Sequence, residues 1–227
     1  MTVALPDLKT AQTEIGALED YLLKSISVQP PDALSTGQTI AIRAYLILAH
    51  ATVEEFIEGC FTRYVESCSQ IDSVGRAHSG AFLSILQLAA DIGGQLKNSE
   101  RSPQAVANRI PGLYKQKIVA PNHGIRKHNL EKLARGAGFH WPEFEESCAD
   151  LVSSCETLGA KRGEIAHISA AGISTDGVQQ QLYPDDVRRY ADDALQGVDQ
   201  LCKFLQSSFG SETTSPQSSN RVSQTAS

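Results

Sequence analysis

The sequence has few aromatic residues, no long apolar run and no secretory start. Aromatic residues make up 6% of the 227 positions, with a single tryptophan, Trp141. The longest apolar stretch, TIAIRAYLILAHATV, is interrupted by Arg43 and His50 and is shorter than the roughly 20 residues that a membrane span requires. No basic amino-terminal segment leads into an apolar stretch, as it does in a signal peptide. These absences predict a cytoplasmic protein that makes no contact with a membrane.

Paired-cysteine motifs are also missing. The five cysteines, at positions 60, 68, 148, 155 and 202, form no CxxC. Spacings of eight and seven place Cys60 with Cys68, and Cys148 with Cys155, on one face of a helix. Buried, reduced thiols of a helical core account for this pattern better than metal or redox sites do. The histidine spacings suggest no ligand set either, so we expect no metal and no cofactor.

Positive charge is scarce overall and concentrated in one segment. The chain has 20 Lys and Arg residues against 26 Asp and Glu residues, a net charge of −6, which excludes a general polyanion binder. Residues 101–135 contain eight basic residues and one acidic residue, so this segment is +7 and the rest of the chain is −13. A basic patch on an acidic body suits a specific partner that bears phosphate. The alternative is a solvated surface whose charges are paired by neighbouring acidic helices.

Apolar residues recur at three- and four-residue spacing, and no stretch alternates as a strand does. This pattern predicts a first helix from about Asp7, a second over roughly residues 39–70 and a third through residues 82–96. Pro142 opens a fourth helix, with carboxylates in its first turn, and Pro184 opens a fifth. We therefore predict an all-α protein, a helical bundle of about five main helices.

Two segments lie outside these main helices. Residues 98–141 contain three prolines and several glycines, and we expect an insertion with two short helices, around 103–118 and 128–137. Residues 210–227 are rich in Ser and Thr and have almost no apolar side chain to bury, which predicts a disordered carboxy-terminal tail. The chain is thus expected to hold one helical domain, residues 1–209, followed by this tail.

The segment LGAKRGEIAHI, on the predicted fourth helix, contains Arg162 and, five residues later, His167. On a helical projection Arg162 falls within the apolar stripe that includes Cys148, whereas His167 falls well away from it. An arginine there is costly unless it is paired or faces a solvated cleft, and we expect Lys161, but not Arg162, to reach solvent easily. The spacing alone leaves both a buried polar contact and a working site open.

Three segments in the expected order resemble the HEPN superfamily, whose signature is an arginine followed after four to six residues by a histidine. LGAKRGEIAHI has this signature, AYLILAHATVEEFIEGCF (44–61) is similar to the second-helix pattern of the RiboL-PSP-HEPN branch, and KHNLEKLARGAGF (127–139) is similar to that branch's short Asn-Leu helix. Together they cover most of residues 40–205. The resemblance implies a metal-independent endoribonuclease that forms a homodimer, with two Arg–His pairs lining one cleft, and that acts as a toxin or in defence against phage. An antitoxin or defence-system protein would be a further partner.

The resemblance makes His167 the acid/base residue and Arg162 its phosphate-binding partner. Histidine titrates near neutrality, so it can take the proton of the ribose 2′-OH or supply one to the departing 5′-oxygen. A guanidinium offers a fork of donors to the charge that builds on the phosphate. The expected products are 2′,3′-cyclic phosphate and 5′-OH ends. Some relatives have lost activity, and a non-catalytic module that binds RNA or protein is therefore the alternative; a helical scaffold without a nucleic-acid role is a third.

A carboxylate on a facing helix would orient the catalytic histidine, and Glu54 is the preferred candidate. It lies four residues after His50 on the second helix. An ordinary ion pair of these two side chains, on the surface or at a dimer interface, is the alternative.

The most concentrated basic and polar cluster is Arg126, Lys127, His128 and Asn129, with Lys132 one turn later. We predict that these residues hold RNA phosphates. Alternatively, the cluster starts a helix and Asn129 lies near its cap.

Two glycines lie close to the motif arginine in the sequence. Gly163 stands where this superfamily often has Asn or Asp after the motif arginine, and Gly159 precedes it by one turn. Small residues at this spacing are expected to let another backbone approach closely.

Trp141 either stacks on a base or, as a lone tryptophan before a helix, anchors packing.

Overall fold

The computed structural model describes residues 3–28, 30, 33–70, 103–166 and 181–211. The predicted third helix, His167 with most of the predicted loop after it, and the predicted tail from residue 212 onward lie outside these residues. Gly210 and Ser211, which the sequence assigns to the tail, belong to the last helix. The described part contains helices and no strand, which confirms the all-α prediction. The α-helices are α1 (Leu8–Leu22), α2 (Thr36–Cys68), α3 (Pro103–Tyr114), α4 (Lys127–Gly136), α5 (Trp141–Ser147), α6 (Ala149–Ala166) and α7 (Pro184–Ser211), and a π-helix (Lys115–Val119) continues α3.

The starts of the first two helices are set by side-chain caps. Asp7 accepts a hydrogen bond from the backbone N–H of Lys9, so α1 begins where the sequence predicts. At α2, Ser35 Oγ accepts from the Gln38 N–H at 3.3 Å, and Gln38 Oε1 accepts from the Ser35 N–H at 2.8 Å. This capping box satisfies two amide groups that would otherwise lack partners. It starts α2 three residues earlier than the apolar periodicity indicates.

The predicted fourth helix is in fact two helices, and this part of the prediction is wrong. Cys148 has φ −121° and ψ 37°, so it ends α5 by donating its N–H to the Phe144 carbonyl and accepts from the Val152 N–H at the start of α6. The break separates two packing surfaces. Phe144 of α5 contacts an aromatic cluster with Phe61, Phe139 and Phe204, while α6 lies along α7.

The core is formed mainly by α2, α6 and α7, with α1 packed on α2 and α7. Val187, Ala194, Val198, Leu201 and Leu205 form a fully buried stripe on α7, as its periodicity predicts. At Gly197 the two helices approach so closely that an added Cβ would lie 2.6 Å from Leu151 Cα. This contact fixes α6, and therefore the arginine near its end, against the bundle.

Trp141 and most of the cysteines are core residues. Trp141 is 6% exposed and stacks on Phe144 with ring centroids 5.5 Å apart, so it anchors packing and its buried face is closed to a base. All five cysteines are free, and Cys60, Cys68, Cys148 and Cys155 are buried as predicted. Burial raises the pKa of Cys155 to about 12, which leaves its thiol protonated and unreactive at neutral pH.

Candidate active site

Arg162 lies in the last turns of α6 with its side chain exposed. Within the part of the chain that the structure describes, it makes no hydrogen bond and no ion pair. Lys161, by contrast, has a side chain that is 20% exposed and an Nζ bonded to Glu164 at 3.0 Å. The prediction that Lys161 but not Arg162 reaches solvent is therefore wrong. Arg162 avoids the cost of burial because its side chain is exposed.

His50 on α2 is buried, at 4% exposure, and lies within the electrostatic reach of Arg162. Burial, and then the positive charge of Arg162, lowers the pKa of His50 to about 4. The imidazole is therefore neutral at pH 7. The two helices that contain these residues, α2 and α6, pack against each other.

Glu54 lies one turn beyond His50 and uses both carboxylate oxygens. Oε2 is 3.5 Å from His50 Nδ1, and Oε1 accepts a hydrogen bond from the Gly124 N–H. Because His50 is buried, this is not the ordinary surface pair that the sequence leaves open. His167 lies outside the described residues, so the predicted role of Glu54 in orienting it stays a prediction.

Residues 121–126, with the sequence PNHGIR, form a loop that three carboxylates hold between α2 and α6. Asn122 Nδ2 donates to Glu58 Oε1 at 2.9 Å, and the Gly124 N–H donates to Glu54. On the other side, Arg126 Nε donates to Glu156 Oε1 at 2.8 Å. Gly124 has φ 134°, a conformation that other residues rarely adopt. We name this segment the 121–126 loop; sequence reasoning missed it, although its Asn-x-Gly pattern is a turn signal.

The loop is further tied to α4 and buried at its base. Asn129 Nδ2 donates to Asn122 Oδ1 at 3.1 Å, and both asparagines are buried. Burial raises the pKa of Glu58 and the bond from Asn122 partly offsets this, so the carboxylate and the amide stabilise each other at the loop's edge. A network in which every buried polar group has a partner rigidifies the segment that contains it.

Only some residues of the predicted RNA-binding cluster lie exposed on the surface. His128 is exposed, but Asn129 is buried and its side chain is used within the protein. Arg126 pairs with Glu156, Lys127 pairs with Glu145, and Lys132 Nζ donates to the Pro121 carbonyl at 3.2 Å. The cluster starts α4, as the alternative predicts: Arg126 is the N-cap residue, without a side-chain cap, and Asn129 lies in the first turn. The alternative of charges paired by neighbouring acidic helices thus holds for two of these residues, and their contact with RNA stays a prediction.

The two glycines beside the motif have different surroundings. A Cβ at Gly159 would lie 2.7 Å from Arg126 Cγ and 3.6 Å from the Arg126 nitrogen, whereas a Cβ at Gly163 would meet nothing within 4 Å. The expected close approach is therefore confirmed at Gly159 and wrong at Gly163. Gly159 is what allows the 121–126 loop to lie directly on α6, one turn before Arg162.

Two general properties complete the description of this region. In the described ranges, no group of three or more His, Cys, Asp or Glu side chains is arranged to hold a metal ion. None of the described helices combines the length and hydropathy that a membrane span requires.

Comparison with known proteins identifies the family of this chain. No curated protein and no solved structure matches it. The family model for RiboL-PSP-HEPN matches residues 14–207, which extends from α1 to near the end of α7 and includes α2, the 121–126 loop and Arg162. This helical bundle, with its exposed arginine near the end of α6, therefore belongs to the RiboL-PSP-HEPN family.

Proposed function

We propose that this protein is a metal-independent endoribonuclease that cuts RNA to 2′,3′-cyclic phosphate and 5′-OH ends. The family is RNA-related, and Arg162 is the observation that supports catalysis most directly. A guanidinium at a helix end, exposed and unpaired within the described residues, has its donors available for a phosphate. In a non-catalytic module the same arginine would be expected to be locked against a buried carboxylate.

In the proposed reaction the 2′-oxygen of the ribose attacks the adjacent phosphorus as its proton leaves, and the 5′-oxygen departs with a proton. His167 is the acid/base group for these transfers. Arg162 binds the phosphate oxygens, on which negative charge builds in the transition state. The bond between phosphorus and the 5′-oxygen breaks as the 2′-oxygen bond forms, so no metal ion or second substrate is needed to balance the reaction.

The proposed active form is a homodimer in the cytoplasm that acts as a toxin or in anti-phage defence. Ile40, Ile47 and Leu48 on α2 are 52%, 37% and 45% exposed, although large apolar side chains are usually buried. They lie on α2, which packs on α6, and in the proposed dimer a second copy covers them and completes the cleft at Arg162. Exposed apolar residues in a group are typical of protein interfaces.

RNA would be held outside the cleavage site by the basic segment 101–135. Its charges are partly paired in the free protein, so binding requires exchange of carboxylate partners such as Glu156 and Glu145 for phosphates. Affinity should therefore be modest and should fall steeply with salt. Replacing Lys132, Lys127 and Arg126 with Gln should reduce both the affinity and its salt slope.

Arg162→Ala compared with Lys161→Ala tests the proposal. The two residues are adjacent on α6 and lose the same charge, but only Arg162 is without a partner in the described region. We expect Arg162→Ala to lower the rate of RNA cleavage by roughly 100-fold or more, because it removes a donor to the transition state, and Lys161→Ala to have little effect. Equal rates for Arg162→Ala and the native protein would contradict the proposal and favour a non-catalytic module.

A further inference from the structure

The fold brings together two cysteines that are far apart in the sequence. Cys60 on α2 and Cys202 on α7 are separated by 142 positions, and their Sγ atoms lie 3.9 Å from each other where the two helices pack. Spacing alone would instead pair Cys60 with Cys68, its neighbour on the same helix. The sulfur contact therefore joins two different elements of the core.

The two thiols differ in exposure and in acidity. Of the five cysteines, all in the described part of the chain, only Cys202 is partly exposed, whereas Cys60 is 0% exposed. The hydrogen bond to Cys202, and then burial, raises the pKa of Cys60. The same bond lowers the pKa of Cys202, against smaller opposing effects of burial and Asp199. The thiolate, which is the reactive form of cysteine, is thus favoured on the sulfur that solvent reaches.

The cysteines of α6 show how thiols that only fill the core behave in this protein. Burial raises the pKa of both Cys148 and Cys155 to about 12, so these thiols stay protonated at neutral pH. Cys202 differs from them in its exposure and in having a sulfur partner. A disulfide needs the two sulfurs to approach from 3.9 Å to about 2 Å, a movement that side-chain rotation and a small shift of α7 against α2 can supply.

We propose that Cys60 and Cys202 are a redox-active dithiol, which hydrogen peroxide oxidises to a disulfide between α2 and α7. In a reducing compartment, such as the proposed cytoplasm, the resting form is the dithiol. The prediction that the cysteines only fill the core then applies to the other three. This inference does not depend on the proposed ribonuclease function.

The proposed oxidation takes place in two balanced steps. The Cys202 thiolate attacks one oxygen of hydrogen peroxide, the O–O bond breaks, and a sulfenic acid forms while the other oxygen leaves as water with the thiol proton. The Cys60 sulfur then attacks the Cys202 sulfur, the S–O bond breaks, and a second water leaves with the Cys60 proton. Two thiols have then lost two electrons, and one peroxide has become two waters.

The bond is tested by adding an equimolar amount of hydrogen peroxide to the reduced full chain, alkylating the remaining thiols and mapping linked peptides by mass spectrometry. We expect one bridge within the chain, Cys60–Cys202, which dithiothreitol reverses, and alkylation of the other three cysteines. Cys68→Ser is the matched control, because Cys68 is buried on the same helix as Cys60, and it should leave the bridge intact. A bridge between any other pair, or alkylation of all five cysteines, would overturn the proposal.

The order of the two steps is tested with dimedone, a reagent that labels sulfenic acids. In Cys60→Ala no second thiol is present, so the Cys202 sulfenic acid should persist and be labelled much more than in the native protein. In Cys202→Ala the buried Cys60 is closed to peroxide and should stay unlabelled. Labelling of Cys60 in Cys202→Ala, with none of Cys202 in Cys60→Ala, would refute the assignment of Cys202 as the attacking thiol.

Thermal unfolding tests whether the fold holds the two sulfurs ready for the bond. A bridge across 142 positions restricts the unfolded chain, and we expect the Tm of the oxidised protein to exceed that of the reduced protein by roughly 5–10 °C. Peroxide should leave the Tm of Cys202→Ala unchanged. An oxidised native protein with an equal or lower Tm would mean that the bond forms only by distorting the bundle, which contradicts a pair prepared by the packing of α2 on α7.

Discussion

At the scale of single residues, the surroundings of a side chain decide what it can do, and the sequence reveals only part of them. Arg162 falls on the apolar stripe of its helix but is exposed, whereas His50 is a polar residue that interrupts an apolar stretch and is buried. Both outcomes depend on how the helices pack in the bundle. Neither follows from spacing within one helix.

The buried state of His50 predicts that part of the protein's stability is lost in acid. An unfolded histidine has a pKa near 6.5, and the folded pKa is about 4, so the unfolded chain binds more protons between these values. This contribution is fully present above pH 6.5 and is lost as the pH falls toward 4. At pH 5 the loss is about 2 kcal/mol of the free energy of unfolding.

His50→Gln has no group that titrates in this range and provides the comparison. Urea unfolding of both proteins at pH 7 and pH 5 should show that the native protein loses about 2 kcal/mol more than the variant does. Because carboxylates such as Glu58 titrate identically in the two proteins, the difference isolates His50. Equal losses would mean that His50 is not held neutral by the fold.

At the scale of helices, the position of the site depends on the contact of α6 with α7. Gly197→Ala places a methyl group 2.6 Å from Leu151 Cα and 3.0 Å from the Leu151 nitrogen, both backbone atoms that cannot turn aside. We expect the variant to lose about 1–3 kcal/mol of unfolding free energy, measured by denaturant titration, because overpacking forces the helices apart.

Gly16→Ala is the matched control for this contact. Gly16 is also inside a helix, but a Cβ there meets nothing within 4 Å. The substitution should stabilise the protein by up to about 1 kcal/mol through helix propensity alone. If both variants changed stability alike, the close approach of α6 and α7 would not be the cause.

Helix positions were largely predictable from apolar periodicity, but two boundaries were not. The Ser35–Gln38 capping box is readable in the sequence, and attention to it would have placed the start of α2 correctly. The break at Cys148 has no glycine or proline to signal it. It arises because α5 and α6 pack on different partners, and such tertiary preferences are absent from local sequence.

In the site, too, features that lie within one short segment could be predicted, and contacts between distant segments could not. Arg162 and His167 could be identified because their motif lies within one short segment. The pair of His50 and Glu54 could also be anticipated, but the bond of Glu54 to Gly124 in the 121–126 loop could not be, because it joins segments far apart in the chain. Contacts of this kind depend on how three elements meet, and only the folded structure brings them together.

At the scale of the whole molecule, we predict a dimer formed through the exposed apolar residues of α2. Ile47→Glu should yield a monomer in sedimentation experiments and should lose RNA cleavage, because a charge at an apolar interface is costly to desolvate. Tyr21→Glu is the control, since Tyr21 is 88% exposed and lies on α1, outside this group. A native protein that is monomeric and fully active would contradict the shared-cleft arrangement.

We propose that Arg162 and His167 form a metal-independent ribonuclease site. Its most direct test is cleavage of mixed cellular RNA in excess chelator by the native protein and by His167→Ala, with analysis of the new RNA ends. We predict that only the native protein cuts and that the fragments end in 2′,3′-cyclic phosphate and begin with 5′-OH. Cleavage that needs a divalent ion, or equal cleavage by both proteins, would contradict the claim.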